Sequence, residues 1–494
     1  MSAIPSAISS VISLSRIIAH WAAIQPDTIA ISHETHTITW QALELETNQL
    51  ARAYADLGVK PDSFVTIALP NGLEFFKACF ATWKLGATPQ PVSAKLPKFE
   101  IDQIIELAEP SLVVGVPDDE ASTVRTLPVG FADYAGYSHA ELPEITATSF
   151  KAMTSGGSTG RPKLIVSGSA ASWNIELEYL QITTQGAMLI PGPLYHNGPF
   201  SWAMIALFRG NHVCVTTRFD AEQTLGLIEQ HKIDIVYMVP TMMQRIWKLP
   251  EATRLQYDMS SLRTLWHLAA PCPAWLKEAF IEWLGPQVIW ELYGGTEGTG
   301  STIINGTEWL AHRGSVGKPN PDACEMKIVG EDGEELPPQT IGEVFIRPAS
   351  GPGTTYHYLG ATAKSIEGGW ESLGDMGYKD EDGYLYLADR QTDMILCGGA
   401  NIYPAEIEAA IDAFPGVRSS AVIGLPHEDL GSVVHAIVDA PGGLDEAALL
   451  AQLATRLVKY KIPRTIELSN EPLRDDAGKL RRKQLTAERV AKLA

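Results

Sequence analysis

Apolar and polar residues alternate over the first 240 positions in a pattern that predicts helices and strands in turn. Apolar residues recur on one face over 42–57 and again over 73–85, which is the spacing of an amphipathic helix. Short apolar runs at 64–69 and 111–116 predict buried strands beside these helices. The same order returns as a strand at 213–217, a helix at 221–231 and a strand at 235–239. This alternation favours an α/β fold with largely parallel strands.

The pattern changes after about residue 315. Strands are predicted at 325–329, 342–348 and 384–387, and acidic, glycine-rich turns such as 330–333 lie between them. These features are typical of an antiparallel or barrel-like region.

A further unit begins at about residue 389. Its predicted elements are a helix at 404–414, strands at 419–424 and 433–439, and a helix at 445–459. Its size suits a small α+β domain. We therefore expect an N-terminal domain over 1–389 and a C-terminal domain over 390–494.

The charge of the chain limits the kinds of partner it can have. The 494 residues are 45% hydrophobic and 19% charged, as in a folded globular protein. A net charge of −20 argues against a protein that neutralises nucleic-acid phosphates or docks on anionic lipid. The charge is uneven, since residues 456–494 contain eleven basic and five acidic residues. This basic segment is either a solvated tail or a segment that meets a polyanionic ligand.

The cysteines, the first fifteen residues and the longest uncharged stretch indicate where the protein works. Five scattered cysteines form no CxxC pair, which favours a reducing, cytoplasmic location without disulfides or a zinc knuckle. The first fifteen residues contain no basic residue, so no signal peptide is expected. The uncharged stretch at 180–208 is interrupted by Pro191, Pro193 and Pro199, so no transmembrane segment is expected.

The strongest local feature is a loop rich in glycine and hydroxyl residues. Residues 153–163 read Met-Thr-Ser-Gly-Gly-Ser-Thr-Gly-Arg-Pro-Lys, and backbone N–H groups in such a loop can surround phosphate oxygens. Pro162 separates the last glycine from Lys163, which excludes a Walker A loop. Residues 156–160 match the GxSxG motif of hydrolases, but that motif opens a helix and 164–166 predicts a strand. A phosphate-binding loop of a nucleotide-using enzyme and a flexible surface loop remain.

This loop resembles the signature of the adenylate-forming enzymes, which include acyl- and aryl-CoA ligases, luciferases and peptide-synthetase adenylation domains. Further motifs follow in the family's order: Pro-Leu-Tyr-His at 193–196, Glu-Leu-Tyr-Gly-Gly-Thr-Glu at 291–297, Gly-Asp-Met-Gly at 374–377, Asp-Arg at 389–390, the segment 397–408, and Gly-Lys at 478–479. The resemblance implies a large N-terminal domain of two α/β subdomains plus a small antiparallel β-barrel-like region. It also implies a small mobile α+β C-terminal domain.

The resemblance implies a role for each matching residue. Lys479 would lie between the carboxylate and the α-phosphate of ATP, Glu297 would hold Mg²⁺, and Thr296 would hold a phosphate. Asp375 would accept hydrogen bonds from both ribose hydroxyls. His196 would gate the passage between the acyl pocket and a thiol tunnel, or would be an ordinary packed histidine.

The wider residue sets follow from the same motifs. The implied ATP-binding residues are Thr154, Ser155, Gly156, Gly157, Ser158, Thr159, Gly160, Lys163, Ala269, Ala270, Glu291, Leu292, Tyr293, Gly294, Asp375 and Arg390. The implied acyl-binding residues are Tyr195, His196, Asn197, Gly198, Trp202, Val239, Ala269 and Gly294. The CoA thiol would enter along Gly398 and Gly399. Small residues such as Gly198 are expected to leave volume in the acyl pocket.

The chain departs from the family pattern at three places. The loop segment carries an additional glycine at Gly156 or Gly157 and has Leu164 where a glycine is common. Gly295 stands where a threonine is common, and Thr392 stands where many members have an acidic or lysine hinge residue. These departures leave the phosphate contacts and the pivot of the C-terminal domain open.

The resemblance predicts ATP-dependent activation of a carboxylic acid to an acyl-adenylate with release of pyrophosphate, then transfer to CoA. The pocket motifs show no basic residue suited to an amino acid or a dicarboxylate, so we expect a bulky hydrophobic acid of the polycyclic, aryl or longer alkyl kind. Two alternatives remain, an amide ligase in which an amine takes the same adenylate, and a non-catalytic ATP-binding protein. Lys479, Glu297 and Asp375 together argue against the latter. Dimers are common in the family, which makes a homodimer a further expectation.

Overall fold

The computed structural model describes residues 10–117, 124–156, 162–390, 393–397, 400–475 and 478–493. The strands are β1 (Val11–Ser13), β2 (Ile29–His33), β3 (His36–Thr39), β4 (Phe64–Ile67), β5 (Thr88–Pro91), β6 (Leu112–Val114), β7 (Thr126–Leu127), β8 (Ala152–Gly156), β9 (Pro162–Ser167), β10 (Ser172–Asn174), β11 (Ala187–Ile190), β12 (His212–Val215), β13 (Ile235–Met238), β14 (Thr264–His267), β15 (Ile289–Gly294), β16 (Ser301–Asn305), β17 (Lys318–Pro319), β18 (Cys324–Val329), β19 (Gly342–Pro348), β20 (Tyr356–Leu359), β21 (Lys364–Ile366), β22 (Trp370–Lys379), β23 (Leu385–Arg390), β24 (Ile395–Cys397), β25 (Ala400–Ile402), β26 (Ser419–His427), β27 (Gly431–Asp439) and β28 (Thr465–Ser469).

The helices are α1 (Leu14–Ile24), α2 (Trp40–Asp56), α3 (Leu73–Lys84), α4 (Lys98–Ala108), α5 (Asn197–Phe208), α6 (Ala221–His231), α7 (Pro240–Trp247), α8 (Glu251–Leu255), α9 (Ala274–Leu284), α10 (Gly306–Ala311), α11 (Pro404–Asp412), α12 (Glu446–Arg456) and α13 (Arg482–Leu493). A short 3₁₀ helix spans Lys459–Lys461. Local sequence sets several of the starts, because the side chains of Thr39, Asp220 and Asp445 cap α2, α6 and α12 by accepting from backbone N–H groups. None of the helices in the described ranges is long and apolar enough to cross a membrane.

The largest sheet in the described residues has nine strands in the order β17-β16-β15-β14-β13-β11-β12-β2-β3. Its central strands from β15 to β2 run parallel, while β3, β16 and β17 are antiparallel additions at the two edges. Every residue of β13 and β14 is buried, as expected where helices cover both faces of a parallel sheet.

A second sheet, in the order β5-β4-β6-β7, is also parallel. An aromatic cluster lies in the core, where the Trp83 ring stacks on Phe150 at 5.7 Å between ring centroids and meets Phe80 and Phe208 edge-on at 5.3 and 5.8 Å. Edge-to-face and offset contacts of this kind are the favoured aromatic geometries. The expectation of α/β architecture with two parallel subdomains is confirmed.

The antiparallel region follows as a sheet in the order β18-β19-β22-β21, with β23 paired to β22. Its core is small and apolar, with Met326, Ile328 and Val344 buried inside. The sequence prediction of an antiparallel, barrel-like region after residue 315 is therefore confirmed.

The last unit is a sheet in the order β25-β24-β27-β26, with β28 added parallel to β27. Helices α11 and α12 cover one face, burying Ile407, Ile411 and Leu449. On the other face, Leu485 and Val490 of α13 pack against a second buried cluster. The basic end of the chain is thus a packed helix over this range and not a solvated tail.

Candidate active site

A cleft of about 2660 Å³ lies at the carboxyl ends of the parallel strands β11, β13, β14 and β15. Ligands in α/β sheets bind outside the carboxyl ends of the strands, because the loops there converge. The cleft wall also includes the start of β9, the middle of β22 and the segment 478–484. Most of the sequence-predicted site residues in the described ranges therefore share one cavity.

Asp375 and Tyr293 meet in one corner of the cleft. The Tyr293 hydroxyl at the end of β15 donates to Oδ2 of Asp375 in β22, at 2.8 Å. The backbone of Asp375 pairs with that of Arg390 in β23. Because the tyrosine holds one carboxylate oxygen of Asp375, the other oxygen can accept a hydrogen bond from a ligand.

Glu297 lies in a buried polar cluster that the sequence did not reveal. Its Oε1 accepts from the Tyr358 hydroxyl at 2.6 Å, and the Lys163 Nζ lies 3.5 Å from the same oxygen. Lys163 also donates to the Tyr358 oxygen at 3.0 Å. Burial and the hydrogen bond to Glu297 raise the pKa of Tyr358 well above its ordinary value, so its hydroxyl stays a donor. Tyr358 is separated from both partners by many residues and carries no motif, so no sequence signal marked it.

The wall next to this cluster contains Glu291, whose carboxylate forms a buried ion pair. Its Oε2 accepts from the fully buried Lys277 of α9 at 2.6 Å. Ala269, just after β14, holds a φ of +72°, an uncommon backbone conformation for a residue with a side chain. Strained positions of this kind cluster at binding sites, and Ala269 lines the cleft beside Leu292. Ala270, Gly294 and Thr296 line the same wall.

The glycine-rich segment lies between two strands, β8 before it and β9 after it. β8 and β9 pair antiparallel, with Gly156 opposite Pro162. The residues that follow the loop form the strand β9 and not the helix that a hydrolase elbow requires, so the strand predicted at 164–166 is confirmed and the hydrolase-elbow interpretation is excluded. The Thr154 hydroxyl in β8 accepts from the Gln90 side chain at 3.2 Å. The backbone of Ser155 is part of β8, while Gly157, Ser158, Thr159 and Gly160 lie outside the described residues.

The predicted acyl pocket is an aromatic chamber around the start of α5. The Tyr195 and His196 rings lie 4.3 Å apart between centroids, and the Trp202 ring meets Tyr237 edge-on at 5.5 Å. Val239 lines the chamber at the start of α7. This composition suits an apolar acyl group.

Gly198 does not leave the free volume that the sequence suggested. A Cβ atom at this position would lie 2.2 Å from the Tyr237 hydroxyl oxygen. The Tyr237 ring therefore fills the space that the missing side chain leaves, and glycine is required for close packing.

The expectation that no basic residue lies in the acyl pocket is wrong. Lys151, just before β8, lines the cleft, and its Nζ donates to Asn197 Oδ1 and to Ser201 Oγ, each at 2.5 Å. Desolvation lowers the pKa of Lys151 to about 7. The residue stands two positions before the glycine-rich loop, but a lysine there is indistinguishable in sequence from a solvated one.

The segment that carries Lys479 is held by a buried ion-pair cluster in the C-terminal unit. Arg474 donates to the backbone oxygen of Gly478 at 3.2 Å and to Glu408 Oε2 at 2.9 Å. A Cβ atom on Gly478 would lie 3.0 Å from the Thr241 hydroxyl, so this segment contacts the rim of the acyl chamber. Lys479 lines the same cleft as Glu297.

Arg482, another basic residue of this segment, has a structural role. Arg482 pairs with Glu408 at 2.5 Å and with Asp393 at 3.3 Å, so its guanidinium stabilises the C-terminal unit. The positions predicted for the thiol tunnel, Gly398 and Gly399, and the hinge residue Thr392 lie outside the described residues. The domain boundary at 389/390 stays a prediction.

Comparisons with known proteins agree with this architecture. The model of the AMP-binding enzyme family matches residues 18–359, and the model of the AMP-binding enzyme C-terminal domain matches residues 406–479. The chain is 32% identical over 477 residues to a feruloyl-CoA synthase of Amycolatopsis sp, covering 93% of this chain and 95% of the relative. It is 31% identical to a 2-succinylbenzoate–CoA ligase of Geobacillus kaustophilus (strain HTA426), with 94% and 96% covered. A solved structure of o-succinylbenzoate CoA synthetase from Bacillus subtilis, in complex with its acyl-adenylate intermediate, is similar with a TM-score of 0.79 at 25% identity, covering 96% of this chain and 98% of that one.

Proposed function

Because the chain belongs to the AMP-binding enzyme family, we propose that its cleft joins a hydrophobic carboxylic acid to AMP and then transfers the acyl group to CoA. It is an AMP-forming acid–CoA ligase. Its co-substrates are ATP and CoA, and its cofactor is Mg²⁺. The observation that carries the assignment is that Asp375, Glu297 and Lys479 open into the same cleft as the aromatic chamber. A nucleotide and an apolar acid can therefore meet there.

The first step brings two anions together. An oxygen of the acid attacks the α-phosphorus of ATP, the bond from that phosphorus to the bridging oxygen breaks, and pyrophosphate leaves with the electron pair. Lys479 offsets the repulsion between the carboxylate and the phosphate and stabilises the charge that develops on the α-phosphate. Asp375 accepts from the ribose hydroxyls, and the Tyr293 hydroxyl holds its carboxylate in place.

The donor set fits a magnesium ion carried by the nucleotide. No group of three or more His, Cys, Asp or Glu side chains in the described ranges could hold a metal ion. Mg²⁺ is commonly bound by one or two carboxylates together with substrate phosphates and water, so Glu297 alone suffices as the protein ligand. When bound, the ion neutralises phosphate charge, while Lys163 and Thr296 contribute further polar contacts to the phosphates.

The second step forms the thioester. The CoA sulfur attacks the acyl carbon, AMP leaves with the electron pair of the carbon–oxygen bond, and the thiol proton is lost. We keep Gly398 and Gly399 as the proposed path of the thiol and His196, at the start of α5, as the proposed gate. An amine acceptor, a homodimer and a cytoplasmic location stay predictions.

The lining of the chamber supports an aryl or polycyclic acid. Its inner wall includes Trp173, Tyr179, Trp202 and Phe208, whose flat faces suit ring systems.

The test measures pyrophosphate release with a panel of aryl, polycyclic and alkyl acids, each with CoA, with amines and with neither acceptor. We expect acid-dependent pyrophosphate release and a CoA thioester as the final product. Lys479→Ala should stop the release, whereas Lys492→Ala, a matched change of an exposed lysine, should not. Adenylate consumed only by amines would favour the amide ligase, and acid-independent ATP turnover would overturn the proposal.

A further inference from the structure

Lys151 forms a polar site inside the otherwise aromatic acyl chamber. Its Nζ donates to Asn197 Oδ1 and Ser201 Oγ, which lie one helical turn apart on α5. The Phe150 and Phe200 rings lie 5.1 and 6.0 Å from the same nitrogen. A lysine ammonium has three donors, and the two neutral acceptors use two of them.

The charge of this lysine has no carboxylate to balance it within the described residues. Its named partners are an amide, a hydroxyl and two aromatic rings, and burial is the single cause that shifts its pKa, downward to about 7. Two more deeply buried lysines differ from Lys151, since Lys84 pairs with Glu44 at 2.7 Å and Lys277 with Glu291 at 2.6 Å. Buried charges are normally paired, so an unbalanced one that lines a cavity is suited to a ligand oxygen.

We propose that Lys151, with Asn197 and Ser201, selects acids whose hydrophobic body carries a second oxygen acceptor. The lysine binds that oxygen, most strongly when it is anionic, while the first carboxylate is activated by ATP. This inference rests on the proposed function and names the substrate class of the same site. It adds a second polar group to the bulky hydrophobic acid that the sequence predicts.

Two lysines at the other end of the cleft are engaged elsewhere, so the binding of a second substrate oxygen falls to Lys151. Lys163 is bound to Tyr358 and lies 3.5 Å from Glu297, and Lys479 belongs to the C-terminal unit. A site built to hydrogen-bond a substrate oxygen rejects an analogue that lacks it, because its polar groups are then left without that partner.

The experiment compares matched acids that differ by one oxygen group. The pairs are decanoate and decanedioate, and 3-phenylpropanoate and its ring-carboxylated or ring-hydroxylated analogues at the ortho, meta and para positions. The measured quantity is the ratio of kcat/KM for the substituted acid to that for the plain acid, from pyrophosphate release by the full chain. We expect wild type to favour at least one substituted member.

Lys151→Met should lower this ratio about 10- to 100-fold, the range for a charge-assisted hydrogen bond, with the change mainly in KM. The variant should fold, since it replaces a desolvated ammonium by a neutral side chain of similar length. Ser201→Ala keeps the lysine and removes one of its partners, so the ratio should fall less. Lys77→Met removes another half-buried ammonium, which contacts Glu46 and Tyr134 outside the cleft, and should leave the ratio unchanged.

Each other outcome overturns the inference. An equal loss on both members of every pair would make Lys151 a general catalytic or structural residue. An unchanged ratio in Lys151→Met and Ser201→Ala, or a wild-type preference for every plain acid, would show that no second oxygen is bound here. If plain acids support pyrophosphate release and Lys151→Met does not change the ratio, this inference fails and the proposed function stands. No release with any acid overturns the proposed function and this inference together.

Discussion

Glu408 offers a quantitative test of how the catalytic segment is held. The residue lies in α11, is 5% exposed, and accepts from Arg474, Arg482 and the backbone N–H of Val422. Arg474 in turn donates to the backbone oxygen next to Lys479. Glu408→Gln keeps the shape of the side chain and removes the charge that both arginines face.

Removing one partner of a buried ion pair costs about 3–5 kcal/mol, because it leaves the other charge uncompensated. For a domain of roughly 100 residues, 1 kcal/mol shifts the melting midpoint by about 4–8 °C, so the transition of the C-terminal unit should move down by at least about 10 °C. Burial by itself would raise the pKa of Glu408, but Arg482 and Arg474 hold it below its ordinary value. Its stabilisation is therefore present above the unfolded pKa near 4.3 and is lost as pH falls through the folded pKa.

The assay is thermal unfolding of wild type and variant between pH 3 and pH 8, together with single-turnover pyrophosphate release at neutral pH. The matched control is Glu406→Gln on the same helix, where the carboxylate is 45% exposed and pairs with Lys461. An exposed pair contributes at most about 1 kcal/mol, so this change should be mild. Glu408→Gln should also slow adenylation at temperatures where the protein is folded, since the segment before Lys479 loses an anchor.

Equal melting of the two variants at pH 7 would refute the idea that the Glu408 cluster holds this unit together. A deficit for Glu408→Gln that grows as pH falls toward 3 would refute the linkage argument, because protonation of wild type must shrink the difference. Normal single-turnover rates with a lowered midpoint would restrict Glu408 to stability alone.

Further outcomes follow from the site. Lys479→Ala should abolish pyrophosphate release while ATP binding, measured by calorimetry, stays within a few-fold. Asp375→Asn should raise the KM for ATP about 10- to 100-fold with little change in the KM for the acid, since charge-assisted hydrogen bonds to the ribose are lost. Gly198→Ala should destabilise the protein by about 1–3 kcal/mol in denaturant titration, because its Cβ would lie 2.2 Å from the Tyr237 hydroxyl. For acids with a second anionic group, the difference between the kcat/KM profiles of wild type and Lys151→Met should fall as pH rises through about 7, where the free-enzyme ammonium deprotonates.

Much of the fold was readable from hydrophobic periodicity. The strand predicted at 64–69 is β4 (Phe64–Ile67), and the helix predicted at 221–231 is α6 (Ala221–His231). Periodicity succeeds there because each element buries one face or all of its length, and a capping residue such as Asp220 marks its start within the local sequence. The order of the motifs also predicted that Asp375, Glu297 and Lys479 would serve one site.

The sequence alone determined the family, the order of the elements and the motif residues of the cleft, such as Asp375, Glu297 and Lys479. Only the tertiary structure decided which of them are paired and which remain for a ligand. Tyr358 reaches Glu297 across 61 residues, and Lys151 reaches Asn197 across 46. A lysine in the sequence looks the same whether it is solvated, paired or desolvated, since that difference depends on what the fold packs around its Nζ. For this protein that difference separates a purely apolar acyl chamber from one that can bind a second oxygen.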